Sequence, residues 1–156
     1  MSAGLWTAVV AVALAVAFGL YRQYADGRFR AAHIPPDPTP PEERASDPAV
    51  PTDTLWAAVT RALPDASPGD RATLLQFSSA FCAPCRATRR TLADIAALVP
   101  GVAHVEVDAE HHLDLVRTLG ILRTPTTLIL DSRGSEVARA SGAPRKEQVL
   151  AALPVD

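Results

Sequence analysis

Cys82 and Cys85 are the only cysteines in the sequence, and two residues separate them. At this spacing one helical turn holds both sulfurs within bonding distance, so the pair can cycle between a dithiol and a disulfide. No other thiol in the chain is present to form a structural disulfide with either of them. The chemistry indicated is thiol–disulfide exchange, in which a thiolate attacks a disulfide sulfur and forms a mixed disulfide.

The residues around the pair predict a junction between a strand and a helix. Strand-forming residues run from Thr73 to Ser78, and apolar residues recur at helical spacing from Cys82 to Leu98. Cys82 would therefore lie at a helix N-terminus, where unpaired backbone N–H groups and the helix dipole favour a thiolate, and Arg86 one turn later adds a cation. We expect Cys82 to be the nucleophile. Cys85, inside the helix, would be more buried and would resolve the mixed disulfide.

The remainder of the C-terminal region alternates between helical and strand patterns. Strands are predicted at Thr73–Ser78, Val102–Asp108, Thr126–Asp131 and Glu136–Ala140, and helices at Thr52–Leu63, Cys82–Leu98, Glu110–Leu119 and Arg145–Leu153. The turn residues between the last two strands predict a hairpin. This order predicts an α/β sandwich with a central mixed β-sheet flanked by helices, in a domain covering residues 52–156.

The N-terminal segment has the composition of a membrane helix. Residues 1–21 carry no charged side chain, and the apolar run from Leu5 to Leu20 approaches the ~20 residues that span a hydrocarbon core. We predict a transmembrane anchor at residues 1–24. The alternative is a signal peptide cleaved near Ala15–Ala17, but no positive charge precedes the apolar run, as it normally does in signal peptides.

Two further expectations concern the region after this helix. Arg22, Arg28 and Arg30 follow the apolar run and no basic residue precedes it, so the positive-inside rule places the soluble domain on the cytoplasmic face. The outer face is the alternative, since many tethered thiol–disulfide proteins work there.

Residues 25–51 are rich in proline and are predicted to be a semi-extended linker that holds the domain away from the bilayer.

Composition excludes several other functions. The formal net charge is −2 and 5% of residues are aromatic, which does not fit a nucleic-acid-binding surface. His111 and His112 are adjacent, and neighbouring helical side chains point about 100° apart, so they do not chelate one metal together. The sequence indicates neither a metal site nor a cofactor.

Several motifs in order resemble the thioredoxin family over roughly residues 52–153. They are Phe81-Cys82-Ala83-Pro84-Cys85, Val105-Glu106-Val107-Asp108, the stretch from Gly120 through Pro125 to Thr127, and the late Gly134 and Gly142. With its anchor and linker, the chain is similar to the membrane-tethered bacterial thioredoxin-like proteins. The resemblance implies reduction of protein disulfides, with electrons supplied by a thiol–disulfide donor.

The resemblance also implies roles for four further residues. Pro125 matches the cis-proline of the family, which lies beside the cysteines and leaves the backbone of Thr124 free to pair with an extended substrate. Gln76 stands six residues before Cys82, where the family has a buried acid, and His104 stands where it often has lysine. A neutral imidazole facing Gln76 could then replace the missing carboxylate as acceptor of the Cys85 proton.

Other functions remain open at this point. A non-catalytic binding module on the same scaffold would use the cysteines as a stable disulfide or zinc clip, and the absence of an acid at Gln76 favours it. Within the enzyme class, a disulfide oxidase or a reductant for cytochrome c maturation would use the same cysteine pair.

Overall fold

The computed structural model describes residues 3–25, 27–31 and 55–154. The helices are α1 (Ala3–Ala25), α2 (Leu55–Ala62), α3 (Ala83–Leu98), α4 (Leu113–Thr118) and α5 (Lys146–Ala152). The strands are β1 (Phe29–Ala31), β2 (Ala72–Ser78), β3 (Val102–Asp108), β4 (Thr126–Asp131) and β5 (Glu136–Ser141). The five strands of the described residues belong to one sheet, in the order β1-β5-β4-β2-β3.

The sheet is mixed, as the sequence predicts. Strand β2 runs parallel to β3 and antiparallel to β4, and β5 is antiparallel to both β4 and β1. The parallel pair needs a crossover connection, and α3 supplies it. One edge of the sheet, made of strand ends and not of an outer strand, consequently brings together the C-terminal ends of β2 and β5 and the N-terminal end of β4.

Helices cover both faces of the sheet. Leu75 and Phe77 of β2 belong to the apolar cluster with α2 and α4, whereas Ala72 and Leu74 belong to the cluster with α3 and α5. Successive side chains of a strand point to opposite faces, so one buried strand contributes to both cores. This arrangement is the predicted α/β sandwich.

Strand β1 corrects the predicted linker. Residues 29–31 fall inside the segment 25–51, yet they extend the sheet to a fifth strand, with Phe29 opposite Ala140 of β5. Three residues are too few to show a strand periodicity, and the strand forms because β5 offers a partner edge and Phe29 packs against the α3–α5 cluster. The proline-rich run therefore follows β1 and does not separate α1 from the sheet. That run and the predicted helix cap at residues 52–53 lie outside the described residues.

Helix α4 begins at Leu113, three residues later than the predicted Glu110. The carboxylate of Asp108 accepts the backbone N–H of Glu110 at 2.8 Å, which holds this part of the chain in a turn.

Helix α1 contains an apolar stretch, Gly4–Tyr21, that is long enough to cross a membrane, and a signal sequence would satisfy the same criterion.

The hairpin turn between β4 and β5 supports α2 through Gly134. Its carbonyl accepts the N–H of Trp56 at 3.2 Å, and its φ of 78° favours glycine. A Cβ at residue 134 would collide with the Trp56 side chain. We expect Gly134→Ala to lower the free energy of unfolding by about 2–4 kcal/mol through strain and displacement of Trp56.

Gly120→Ala is the matched control for this substitution. Gly120 also has a positive φ, 61°, but an added Cβ would meet nothing within 4 Å. Its cost should be limited to about 1 kcal/mol of backbone strain. Chemical denaturation followed by circular dichroism measures both variants, and equal losses would contradict the proposed contact with Trp56.

Candidate active site

A disulfide joins Cys82 and Cys85, whose Cα atoms lie 5.2 Å apart at the start of α3. Cys82 is the N-cap residue, and its Sγ accepts the backbone N–H of Cys85 at 3.1 Å. Pro84 lies in the first turn, where the helix requires no N–H from it. Cys82 is half-buried while Cys85 is only 1% exposed. One sulfur is therefore accessible to another molecule and the other is protected.

The loop before β4 lies beside this pair. The Thr124–Pro125 peptide bond is cis, and the Pro125 carbonyl accepts the N–H of Gly142 at 2.7 Å. The hydroxyls of Thr124 and Ser79 lie 3.1 Å apart, which connects this loop to the segment that leads into Cys82. Three loops from three strand ends thus converge around the disulfide.

Gln76 lies directly behind the buried cysteine. Its side chain is fully buried, and its Nε2 donates to the backbone carbonyl of Cys85 at 3.0 Å. Its Oε1 lies 3.2 Å from Nε2 of His104. Because an amide oxygen only accepts hydrogen bonds, His104 must carry a hydrogen on Nε2. His104 therefore faces Gln76 through its protonated Nε2, and Nδ1 is the nitrogen left to accept a proton.

Burial keeps His104 neutral near pH 7. Desolvation is the main influence and lowers the pKa of His104, because a charged imidazole loses hydration in the protein interior. The carboxylate of Glu106 opposes this shift and the guanidinium of Arg89 reinforces it. A neutral imidazole with one protonated nitrogen retains one nitrogen that can accept a proton.

Glu106 is held in a polar network that the sequence analysis did not identify. One of its carboxylate oxygens accepts the Ser78 hydroxyl at 2.6 Å and Arg89 Nη2 at 2.7 Å, and the other pairs with Arg89 Nε at 2.6 Å. This network ties α3 to strands β2 and β3. Its members are separated by up to 28 residues in the chain, so no local pattern reveals it.

Two buried hydroxyls complete the polar interior between α3 and the sheet. Thr88 Oγ1 and Thr127 Oγ1 have no hydrogen-bond partner among the residues that the structure describes. Thr127 is the β4 neighbour of Gln76, and Thr88 lies on the buried face of α3, one turn after Cys85. Polar groups of this kind commonly bind ordered water in proteins.

Two large apolar side chains are exposed next to the site. Phe81, directly before Cys82, is 98% exposed, and Leu122, in the loop before Pro125, is 95% exposed. Leu122 is not among the site residues predicted from the sequence, although it is an apolar residue close to the predicted cis-proline. Arg86 is also exposed in the first turn of α3, and no hydrogen bond or ion pair joins its side chain to either cysteine among the described residues.

The two adjacent histidines lie between β3 and α4. His111 pairs with the Asp108 carboxylate at 2.9 Å, and His112 is the N-cap residue of α4. Within the described ranges, no group of three or more histidine, cysteine, aspartate or glutamate side chains is arranged to hold a metal ion.

One class of thiol–disulfide oxidoreductases is defined by three features found here. They are an α/β sandwich, a disulfide at the N-terminus of a helix and a cis-proline beside it. The family model for thioredoxin matches residues 63–154. The chain belongs to the thioredoxin family, and this family membership together with the Cys82–Cys85 disulfide supports thiol–disulfide oxidoreductase activity.

Known relatives agree with this placement. The chain is 30% identical over 82 residues to a thioredoxin H-type of Fagopyrum esculentum, covering 53% of this chain and 69% of the relative. It is 29% identical over 91 residues to thioredoxin H4-1 of Oryza sativa subsp. japonica, covering 57% and 69%. The structure of thioredoxin f from spinach chloroplast superposes with a TM-score of 0.50 at 29% identity, covering 64% of this chain and 83% of that one.

Proposed function

We propose that the chain reduces disulfides of other proteins through Cys82 and Cys85 while α1 holds it at a membrane. The observation that carries the proposal is the asymmetry of the pair, with Cys82 accessible at the helix N-cap and Cys85 buried behind it. An accessible sulfur can join a substrate, whereas a buried sulfur can attack only its neighbour. Members of the thioredoxin family generally act on protein disulfides, and this supports the choice of substrate class.

The reaction proceeds in two exchanges. In the reduced enzyme, the Cys82 thiolate attacks one sulfur of the substrate disulfide, whose S–S bond breaks, and the other substrate sulfur leaves as a thiolate and takes a proton. Cys85 then loses its proton and attacks Cys82 in the mixed disulfide. The substrate leaves as a dithiol and the enzyme retains the Cys82–Cys85 disulfide. Two electrons pass to the substrate, and an external dithiol donor must return them.

The first turn of α3 favours Cys82 as the attacking group. The N–H of Cys85 donates to the Cys82 sulfur at 3.1 Å, and the positive end of the helix dipole lies at the same position. Arg86 adds a positive charge one turn later. These influences all favour the thiolate over the thiol, which raises the concentration of the nucleophile at neutral pH.

The cis-proline loop is proposed to bind the substrate chain. No main-chain hydrogen bond of Thr124 to another described residue is found, so its backbone is available to an extended segment beside the cysteines. Pro125 orients that backbone, and Phe81 and Leu122 offer exposed apolar surface in the neighbouring segments. Main-chain pairing supported by apolar contacts suits substrates of varied sequence.

Proton transfer from Cys85 is the step in which this chain departs from its family. Gln76 cannot accept a proton at neutral pH, and it contacts the Cys85 carbonyl at 3.0 Å. His104 is the titratable side chain joined to it, and burial keeps it neutral. We propose that the Cys85 proton reaches Nδ1 of His104, the nitrogen that carries no hydrogen, through water bound between α3 and the sheet, where Thr88 and Thr127 present their hydroxyls.

The position of the arginines supports a cytoplasmic domain. Arg22 and Arg28 follow the apolar stretch Gly4–Tyr21, and no basic residue precedes it. We therefore propose that the N-terminus lies outside and the redox domain inside, with the helix retained as an anchor.

Single-cysteine variants test the roles of the two thiols. We expect Cys82→Ser to reduce insulin no faster than dithiothreitol alone, because the nucleophile is missing. Cys85→Ser should accumulate a mixed disulfide with insulin, visible on a non-reducing gel, because nothing resolves it. If the wild-type chain leaves the dithiothreitol rate unchanged, the reductase assignment is wrong and a non-catalytic binding module is favoured.

The pH profile tests the role of His104. A neutral imidazole accepts a proton, so its contribution should be present above its lowered pKa and disappear as the pH falls through that value, below about 6.5. We expect His104→Gln to slow insulin reduction about tenfold or more at pH 7–8, and progressively less at lower pH. His112→Gln is the control and should match the wild type. A constant ratio of wild type to His104→Gln across the pH range would rule out this role.

Labelling of Cys82 in the Cys85→Ser variant tests the position of the domain. A membrane-impermeant maleimide should label reduced Cys82 only after the cells are lysed, because the domain lies in the cytoplasm. The mass of the membrane-bound protein should include residues 1–17. Labelling of intact cells would place the domain outside, and a mass lacking those residues would identify α1 as a cleaved signal.

A further inference from the structure

A single residue lies between the end of α1 and Gly27, which is hydrogen-bonded to the sheet. Helix α1 ends at Ala25, and the N–H of Gly27 donates to the Ser141 carbonyl at 2.9 Å. Strand β1 then pairs Phe29 with Ala140 of β5. Because only residue 26 separates Ala25 from Gly27, the C-terminal end of α1 must lie close to the C-terminal end of β5.

That end of β5 lies on the edge of the sheet that carries the redox site. Ser141 is the register partner of Thr126, the first residue of β4, and Thr126 is the partner of Phe77 near the end of β2. Cys82 follows β2 at this edge, and Pro125 precedes β4 there. The N–H of Gly142 also donates to the Pro125 carbonyl, so the loop that receives Gly27 contacts the cis-proline loop.

The distances involved are short. Strands in a sheet lie about 4.8 Å apart, so the three steps from β1 through β5 and β4 to β2 amount to about 15 Å. The apolar stretch ends at Tyr21, and the residues from there to Gly27 span about 9 Å as helix and at most about 20 Å fully extended. If α1 spans a bilayer, Gly27 therefore lies at or just outside the headgroups, and the end of β2 lies about 15 Å from it.

The junction is packed into the domain. Gly27 is buried with a φ of 77°, and a Cβ at this position would collide with the Ala143 carbonyl and with Pro144. The backbone thus fits closely against the loop that follows β5. A strand paired in the sheet and a buried glycine restrict the orientation of the domain far more than a flexible tether would.

The side chains at this edge suit a lipid surface. Phe81 and Leu122 are almost fully exposed there, and Arg123 is an exposed basic residue next to Leu122. Apolar and arginine side chains together favour the interface of an anionic membrane. Among the described residues, Asp108 and Glu110 are acids at this edge, and they lie at the end of β3, on the side of the sheet farthest from β1.

We propose that the redox site faces the membrane and exchanges with disulfides held close to the bilayer surface, in the membrane-proximal segments of membrane proteins. The proposal rests on the proposed reductase activity and on α1 being retained as an anchor. The reaction is the two-step exchange described above. The position of this edge near the membrane determines the substrate class. A disulfide near the headgroups reaches Cys82 without a reorientation of the domain.

Site-specific quenching measures the orientation directly. The full chain carrying Cys85→Ser is reconstituted in anionic liposomes with a fluorophore on Cys82 and lipids that carry a nitroxide quencher on the headgroup. The matched control carries the fluorophore at Arg133→Cys in a Cys82→Ser, Cys85→Ser background. Residue 133 lies in the exposed β4–β5 turn at the opposite edge, about 17 Å or more away along β4. We expect quenching several-fold stronger at Cys82, and equal quenching at the two positions would overturn the proposal.

An insertion tests the consequence for substrates. A flexible Gly/Ser insert of about 15 residues between Ala25 and Gly27, with an average span of about 20 Å, frees the domain and leaves the site unchanged. The substrates are insulin and a single-span peptide in the same liposomes, with a disulfide next to its apolar segment. We expect the insert to lower the rate on the peptide several-fold and to leave the insulin rate unchanged. An unchanged ratio of the two rates would refute the substrate class.

Two controls separate this proposal from the functions on which it rests. Flotation of the wild-type chain with liposomes tests the anchor, and reduction of insulin tests the reductase activity. If either fails, the proposed function is wrong and this inference fails with it. If both succeed while Cys82 and residue 133 are quenched equally, only the orientation is wrong.

Discussion

Strand β2 pairs with β3 on one side and β4 on the other, and all seven of its residues are buried. Pairing on both sides leaves the strand no freedom to shift, since a slip of one residue would turn every side chain to the wrong face. The position at which β2 ends therefore fixes where α3 begins. Cys82 and Cys85 occupy that beginning, so the geometry of the redox pair depends on the register of the central strand.

The same strand places an uncharged amide behind the buried cysteine. Gln76 is held on both sides, by the Cys85 carbonyl and by His104. A carboxylate in this position would titrate with the thiol, whereas an amide contributes hydrogen bonds without charge. The charge in this region resides instead in the Glu106–Arg89 pair, which joins β3 to α3 next to His104. The titratable side chain closest to the Gln76 amide is therefore His104, which lies one side chain further from the sulfur.

Strand β1 changes the relation between the redox domain and its N-terminal helix. A proline-rich segment directly after an apolar helix indicates a spacer that holds a domain away from a surface. Here the sheet is reached first, through Gly27 and Phe29, and the chain enters at the edge that carries the cysteines. Connectivity alone then brings the redox site to the same side of the domain as the helix.

The sequence by itself determined the elements whose signals are local. The Cys-Ala-Pro-Cys spacing, the apolar alternation of β2 and β4, the helical spacing of α3 and the turn at Gly134 each lie within one short window, and they predict the α/β sandwich and the redox pair. The family resemblance added the expectation of a cis-proline at Pro125. Periodicity and turn chemistry suffice here because each depends on neighbours along the chain.

Only the tertiary structure decided the features that depend on contacts between distant segments. Strand β1 exists because β5 offers it an edge, and no three-residue sequence encodes that partner. The Glu106 network and the orientation of the Gln76 amide require β2, β3 and α3 to be in register. The exposure of Leu122 beside the cysteines follows from the folding of the cis-proline loop onto them. These features depend on packing and pairing energies between residues that are far apart in the chain. A local sequence pattern carries no information about those energies.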